Sequence, residues 1–235
     1  MSYQFDSRVR YSEIGADGRL ELASMIDYFQ DCSTFHSESL GRGVRYAVDT
    51  GKAWMILSWQ VEILRRPVLG EHIVTRTWPY LFKAFYGNRN YTMETPDGEC
   101  LARVNSIWAL IDTKSSHPAK ILPEDVDGYI METKLDMKEF PRKMQMPEDN
   151  TEEDSFPISH SQLDTNHHVN NGQYVHMAGQ YLPEDFEPSI LRVEYRQQAK
   201  LHDIIVPLIH KEDSRIVVSL CDENKKPYAL VSFER

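Results

Sequence analysis

The sequence predicts an α+β fold of two tandem units, each a long helix wrapped by a strongly bent antiparallel β-sheet. Three observations carry that prediction. Leu20, Leu22, Met25, Ile26, Phe29 and Cys32 recur at the spacing of one buried helix face. From Trp54 to Asp112 the texture changes to β-branched and aromatic segments separated by turn residues. The second half then repeats the order of elements in the first.

Taken in order, residues 4–12 alternate loosely, with Phe5, Ser7, Val9 and Tyr11 set against Arg8 and Arg10, and read as an opening strand. The turn Gly15-Ala16-Asp17-Gly18 leads into the long helix, which ends near Leu40-Gly41 with glycine as its cap. A second short helix over 43–50 closes at Gly51. Strands follow at 54–64, 73–78, 85–94 and 100–112, with Pro96-Asp97-Gly98 as a hairpin turn. Residues 132–154 are charge-dense, weakly periodic and interrupted by prolines, which predicts a surface linker. It separates an N-terminal domain, 1–131, from a C-terminal one, 155–235. The second domain reads as a short strand at 155–161, a helix from Asn170 to about Tyr181, then strands near 190–198, 204–211, 215–220 and 227–233.

The repeat has two offsets. Ser12–Leu20 lies over Ser161–Val169 at an offset of 149, and Val61-Glu62 lies over Val193-Glu194 at an offset of 132. The offsets share one order of elements, so duplication explains both. The two copies differ where chemistry is concentrated. In the second, Leu163-Asp164-Thr165-Asn166-His167-His168-Val169-Asn170-Asn171 sets a carboxylate, an amide and an imidazole at alternate positions before a helix start. Such a turn suits proton transfer and oxyanion stabilisation, although Asp and Asn also favour helix caps on their own account. The first copy has Gly15, Asp17 and Arg19 instead, which is no acid/base set.

Composition removes several classes. A formal net charge of −10 argues against non-specific binding to nucleic acid or anionic lipid. No run reaches the length of a membrane span, and the first residues have no signal- or transit-peptide pattern, so a cytoplasmic location is expected. Three widely spaced cysteines, Cys32, Cys100 and Cys221, fit neither a disulfide framework nor a zinc site. The remaining histidines lack paired metal spacing, so no metal is expected.

The 163–171 segment resembles the L-D-x-N-x-H-V-N-N stretch of the acyl-acyl carrier protein thioesterases of plants and bacteria at every fixed position. Val193-Glu194-Tyr195-Arg196 and Arg66-Pro67 support the resemblance, which covers nearly the whole chain. It implies two tandem hotdog domains and hydrolysis of a fatty acyl thioester on acyl carrier protein, with no cofactor. It also implies catalytic roles for Asp164, Asn166 and His168, plus a glutamate that family carries in a Y-R-x-E-C setting. Here that setting reads Tyr195-Arg196-Gln197-Gln198-Ala199, so Gln198 stands at the glutamate position and can orient a water but not take its proton.

The expected mechanism follows. Asp164 or His168 activates water, or Asp164 attacks the thioester directly; Asn166 positions the water or the carbonyl. Backbone N–H groups near Asn170 hold the oxyanion. The resemblance assigns acyl-chain selection to the first half, where Met25, Ile26, Phe29, Trp54 and Ile56 are candidate walls. Because the chain is acidic overall, an acidic carrier protein needs a local basic patch, for which Arg192, Arg196 and Lys200 are candidates. Homodimerisation is left open. The alternatives are an acyl-CoA thioesterase of the hotdog class and an acyl-binding protein without catalysis.

Overall fold

The computed structural model describes residues 2–235. The chain divides into two compact units, the first running to Glu21 and then over Asp27–Lys138, the second comprising Leu22–Ile26 and Glu139–Arg235. No helix of the described residues is long and apolar enough to cross a membrane.

In the first unit β1 (Tyr3–Arg8) precedes α1 (Leu22–Ser39, whose residues to Ile26 group with the second unit) and α2 (Val44–Thr50), followed by β2 (Lys52–Ile63), β3 (His72–Lys83), β4 (Tyr86–Glu94) and β5 (Cys100–Asp112). The strands are antiparallel in the order β1-β3-β4-β5-β2. Alternation along β4 turns Arg89 and Tyr91 towards α1, where Arg89 meets His36 and Tyr91 lies 5.8 Å from Phe29, ring to ring. Phe29 is fully buried and also faces Trp59 at 6.4 Å; burial of such a ring contributes about 1.5–3 kcal/mol. β3 outruns the predicted 73–78 because a bulge between Pro79 and Leu81 absorbs the proline. A short helix not foreseen from sequence, α3 (Pro123–Val126), carries Asp125, which is 1% exposed. Asp125 accepts from Lys52 Nζ at 2.8 and 3.0 Å, from the Tyr46 hydroxyl at 2.9 Å and from the Leu122 amide at 2.8 Å. That set of donors satisfies a buried carboxylate and ties α2, α3 and β2 together.

The second unit holds β6 (Thr151–Glu152), β7 (Phe156–Pro157), α4 (Asn171–Gly179), β8 (Ile190–Tyr195), β9 (Ile204–Glu212), β10 (Arg215–Cys221) and β11 (Pro227–Glu234). Its antiparallel order is β8-β11-β10-β9-β6, with β7 also on β9. Two expectations need correction. The helix is nine residues rather than long. The first strand stops at Tyr195, which leaves Gln198 on the following loop.

Residues 132–144 lie mostly at the surface, as the composition predicts, and are hydrogen-bonded along their length. In the first unit this segment crosses β3, β4, β5 and β2 in turn. Thr133 O accepts from Trp78 Nε1 (2.9 Å), Leu135 N donates to Asn90 Oδ1 (2.9 Å) and Asp136 O accepts from Arg103 (3.3 Å). Lys138 N then donates to Glu62 Oε1 (3.0 Å), and Lys138 O accepts from Gln60 Nε2 (2.6 Å). In the second unit Pro141 O accepts from Arg192 (2.7 Å), while Met144 N donates to Glu194 (2.7 Å) and Met144 O accepts from Arg196. The strap is stitched to strand side chains, which leaves no periodic signature in its own sequence.

Asp27 on α1 gives the fold a pH dependence. Its carboxyl is pushed up to about 6 by burial, then by the nearby charges of Asp31 and Glu13. The folded state therefore binds this proton more readily than the unfolded chain, and the penalty on folding is present above about pH 6 and gone below about pH 4. Asp27→Asn should raise stability by about 1 kcal/mol at about pH 8 and leave it unchanged at about pH 4. Chemical denaturation at the two pH values checks this; an equal effect at both would contradict it.

Candidate active site

The 163–171 loop is a hydrogen-bonded frame in which Leu163 and Val169 pair as an isolated bridge. Asp164 N donates to His168 O at 2.7 Å and His167 N to Asp164 O at 3.1 Å. The Asp164 carboxylate completes the turn: Oδ1 accepts from the amides of Asn166 (2.8 Å) and His168 (3.2 Å), and Oδ2 lies 3.4 Å from Asn166 Nδ2. Outside the turn, Val169 N reaches Ala199 O (3.0 Å) and Asn170 N reaches Gln162 O (2.9 Å). Asp164 and His168 are half-buried and Asn166 is exposed. The structure thus brings the amides of Asn166 and His168, and the Asn166 side chain, onto the Asp164 carboxylate.

The same backbone frame recurs in the first unit. Gly15 N to Arg19 O (2.9 Å), Gly18 N to Gly15 O (2.9 Å) and Glu21 N to Glu13 O (2.9 Å) match the bonds at 164, 167 and 170. Leu20 N to Pro67 O (2.8 Å) matches Val169 to Ala199, and Val9 N to Glu71 O (3.0 Å) matches Ile158 N to Asp203 O (2.9 Å). Both sequence offsets are therefore visible bond by bond. The side chains diverge: Asp17 is ion-paired with Arg66, whereas Asp164 has no cationic partner among the described residues.

The remaining candidates separate. Gln198 is exposed, one residue before the fully buried Ala199, whose carbonyl holds Val169. Ala199 N donates to the Tyr174 hydroxyl at 3.0 Å, and the Tyr195 hydroxyl donates to Asn171 O at 2.9 Å, so two tyrosines not singled out from sequence pin α4 to this loop. Burial pushes the Tyr174 hydroxyl up to about 12, which keeps it protonated. The proposed helix-start oxyanion donors need correction. Asn170 N is taken by Gln162 O, Gly172 N by Asn170 Oδ1 (2.9 Å) and Gln173 N by Asn170 O (3.0 Å). Arg192 is no surface charge either. It is 9% exposed, bonded to the strap, with its guanidinium 4.3 Å from the Phe140 ring centre. Arg196 and Lys200 are exposed, though Arg196 also pairs with Glu194 at 3.0 Å. Of the candidate acyl-chain walls, Met25 and Ile26, on the α1 turn that groups with the second unit, and Phe29 and Ile56 in the first are buried, and half-buried Trp54 sits 5.9 Å from the Phe82 ring.

Comparison with known proteins gives a consistent result. A family model described as the acyl-ACP thioesterase N-terminal domain matches residues 1–129, and one for the C-terminal domain matches 145–227. A chloroplastic palmitoyl-acyl carrier protein thioesterase of Gossypium hirsutum is 27% identical over 224 residues, 88% of this chain and 54% of that protein. An oleoyl-acyl carrier protein thioesterase of Arabidopsis thaliana is 21% identical, covering 87% of this chain and 62% of that protein. The chain spans about half the length of the first of these relatives. Among solved structures, an acyl-ACP thioesterase from Bacteroides thetaiotaomicron superposes with a TM-score of 0.90 at 16% identity, covering 98% of this chain and 96% of that one. The 12:0-ACP thioesterase of Umbellularia californica gives 0.85 at 18% identity, covering 99% and 96%. These likenesses show a mostly antiparallel sheet with few helices, consistent with a hotdog-type fold.

His167 has a positive φ of 61°, where the first unit uses Gly18 at 74°. Its side chain is exposed, so its contribution is to the backbone turn. His167→Gly should therefore leave thermal stability unchanged or raise it slightly, whereas His167→Val should cost about 1 kcal/mol or more. Thermal unfolding of the two variants checks this; equal stability would contradict the strained turn.

Proposed function

The chain belongs to the acyl-ACP thioesterase family, and on that premise we propose that it hydrolyses a fatty acyl thioester of acyl carrier protein at the Asp164–Asn166–His168 loop. The two units are tandem hotdog domains, with 1–131 holding the acyl chain, 132–154 joining them and 155–235 supplying the chemistry. One observation carries this division: a single backbone frame recurs in both units, and only the second has a carboxylate, an amide and an imidazole on it.

The geometry favours unequal roles for the two titratable groups. Asp164 Oδ1 is occupied by two backbone amides, so Asp164 fixes the loop and lies beside the Asn166 amide. The His168 imidazole makes no hydrogen bond among the described residues. His168 is then the base: it takes a proton from water as the oxygen adds to the thioester carbonyl carbon. Asn166 steadies the water or the carbonyl oxygen. Collapse of the tetrahedral intermediate breaks the C–S bond, and the departing thiolate recovers the proton from His168. Met25, Ile26, Phe29, Trp54 and Ile56 are read as walls for the acyl chain. Lys200, with Arg196, is read as the contact for the acidic carrier.

A second reading, an acyl-binding protein without turnover, is favoured by one feature, Gln198 in place of the family's glutamate. Hydrolysis of matched carrier-protein and CoA thioesters, C8 to C18, separates the readings. Asp164→Asn and His168→Ala should each lower turnover on carrier substrates by about 10²-fold or more. Variants within about threefold of the parent would sink the assignment, turnover mainly on CoA would change the donor, and chain binding without turnover would support the silent reading.

A further inference from the structure

The first unit contains a buried charge that its own residues leave uncompensated. Arg89 is 8% exposed, on the face of β4 that looks towards α1. Its hydrogen bonds among the described residues leave from one nitrogen: Nη1 donates to His36 Nδ1 at 3.0 Å and to Thr77 Oγ1 at 3.2 Å. Accepting that bond keeps His36 neutral, and burial, then the adjacent guanidinium, push the imidazole down to about 4. The Tyr129 ring lies 5.3 Å from the guanidinium carbon. No carboxylate pairs with Arg89 among the described residues. Two other buried charges are ion-paired, Asp125 by Lys52 and Glu194 by Arg196, while Arg192 is bonded to the Pro141 carbonyl and lies over the Phe140 ring.

The other edge of Arg89 is not used by the described residues. Nε and Nη2 make no hydrogen bond among the described residues, yet neither is sealed from solvent as the Nε atoms of Arg42 and Arg103 are. That edge is the pair of parallel N–H groups that matches a carboxylate. Beside it runs a band of half-buried rings. Tyr129 is 5.9 Å from Phe82, and Phe82 is 5.9 Å from Trp54. These two rings sit over Gly87, where an added Cβ would stand 3.0 Å from Trp54 and 3.2 Å from Phe82. Gly87 and Arg89 lie on one face of the same strand, roughly 7 Å apart. An apolar strip therefore ends at an unpaired cation.

We propose that this is a binding site for an amphipathic monocarboxylate. Its charged end pairs with Nε and Nη2 of Arg89, and its aliphatic body crosses Phe82 and Trp54. A single guanidinium suits one carboxylate better than a dianionic phosphate, and the rings supply what a bare inorganic anion cannot use. The site lies wholly on first-unit residues and shares Trp54 with the acyl-chain wall proposed above, so it rests on that reading for its apolar end but not on the reaction proposed for the second unit, and binding rather than turnover tests it.

The test is calorimetric titration of the full chain with octanoate, octanol and inorganic phosphate. Wild type should bind octanoate at least about tenfold more tightly than octanol, a difference of about 1.4 kcal/mol. Arg89→Gln should bring the two ligands to within about threefold by weakening octanoate alone. Gly87→Ala, which displaces the rings and keeps the charge, should weaken both ligands together and supplies the second variant if Arg89→Gln does not fold. The proposal is overturned if octanoate does not bind, if wild type binds octanoate and octanol alike, or if Arg89→Gln leaves octanoate affinity unchanged. Phosphate binding as tightly as octanoate and displacing it would overturn the carboxylate class.

Discussion

One backbone hydrogen bond, from the Asp164 amide to the His168 carbonyl at 2.7 Å, sets the geometry on which the chemistry proposed for the second unit depends. Closing so short a turn forces residue 167 into the left-handed region and brings the Asp164 carboxylate onto the amides of 166 and 168. The frame is held mainly by main-chain bonds, each with a net contribution of about 1 kcal/mol. Side chains at 164, 166 and 168 can thus change without dismantling it. The first unit demonstrates that freedom, since Gly15, Asp17 and Arg19 occupy an equivalent frame in which Asp17 is neutralised by Arg66. Duplication of a rigid loop, followed by divergence of three side chains, accounts for one unit with acid/base groups and one without.

That logic explains what was legible in the sequence. Helix α1, its stop at Leu40-Gly41, the Gly51 cap and the Pro96-Asp97-Gly98 hairpin follow from local periodicity and turn chemistry, and they lie within a few residues of the expected bounds. The two offsets were readable because main-chain frames constrain spacing even where identity is low. The strap was not readable. Its amides and carbonyls are bonded to side chains of Trp78, Asn90, Arg103, Glu62, Arg192 and Glu194, so its order comes from strands distant in sequence. The same blind spot made Arg192 look like a surface cation. Arg192 and Glu194 share one face of β8, and that face is covered only once the strap folds back over it. The expected oxyanion amides failed for a different reason: Asn170, favoured as a cap, takes up the donors that a bare helix end would expose.

The two units also treat charge differently. In the second, buried Glu194 pairs with exposed Arg196 beside the strap, and the 163–171 loop gathers Asp164, Asn166 and His168. In the first, the wall facing α1 carries Thr75, Thr77, Arg89 and Ser106 among its aromatic residues. A wall of that composition is more polar than packing alone requires, since a purely apolar wall would avoid the desolvation that Arg89 incurs. The binding proposed for the first unit and the proton transfer proposed for the second are compatible duties for one chain.

The most direct test of the central claim is to transplant the first unit's side chains onto the second unit's frame. A triple variant, Asp164→Gly, Asn166→Asp and His168→Arg, keeps the turn and removes the acid/base set. Hydrolysis of acyl-carrier-protein thioesters is measured beside the parent, with unfolding curves recorded for both. A folded variant whose turnover falls by about 10²-fold or more is the result this account predicts. A folded variant that still hydrolyses its substrate at a rate close to the parent's would contradict it.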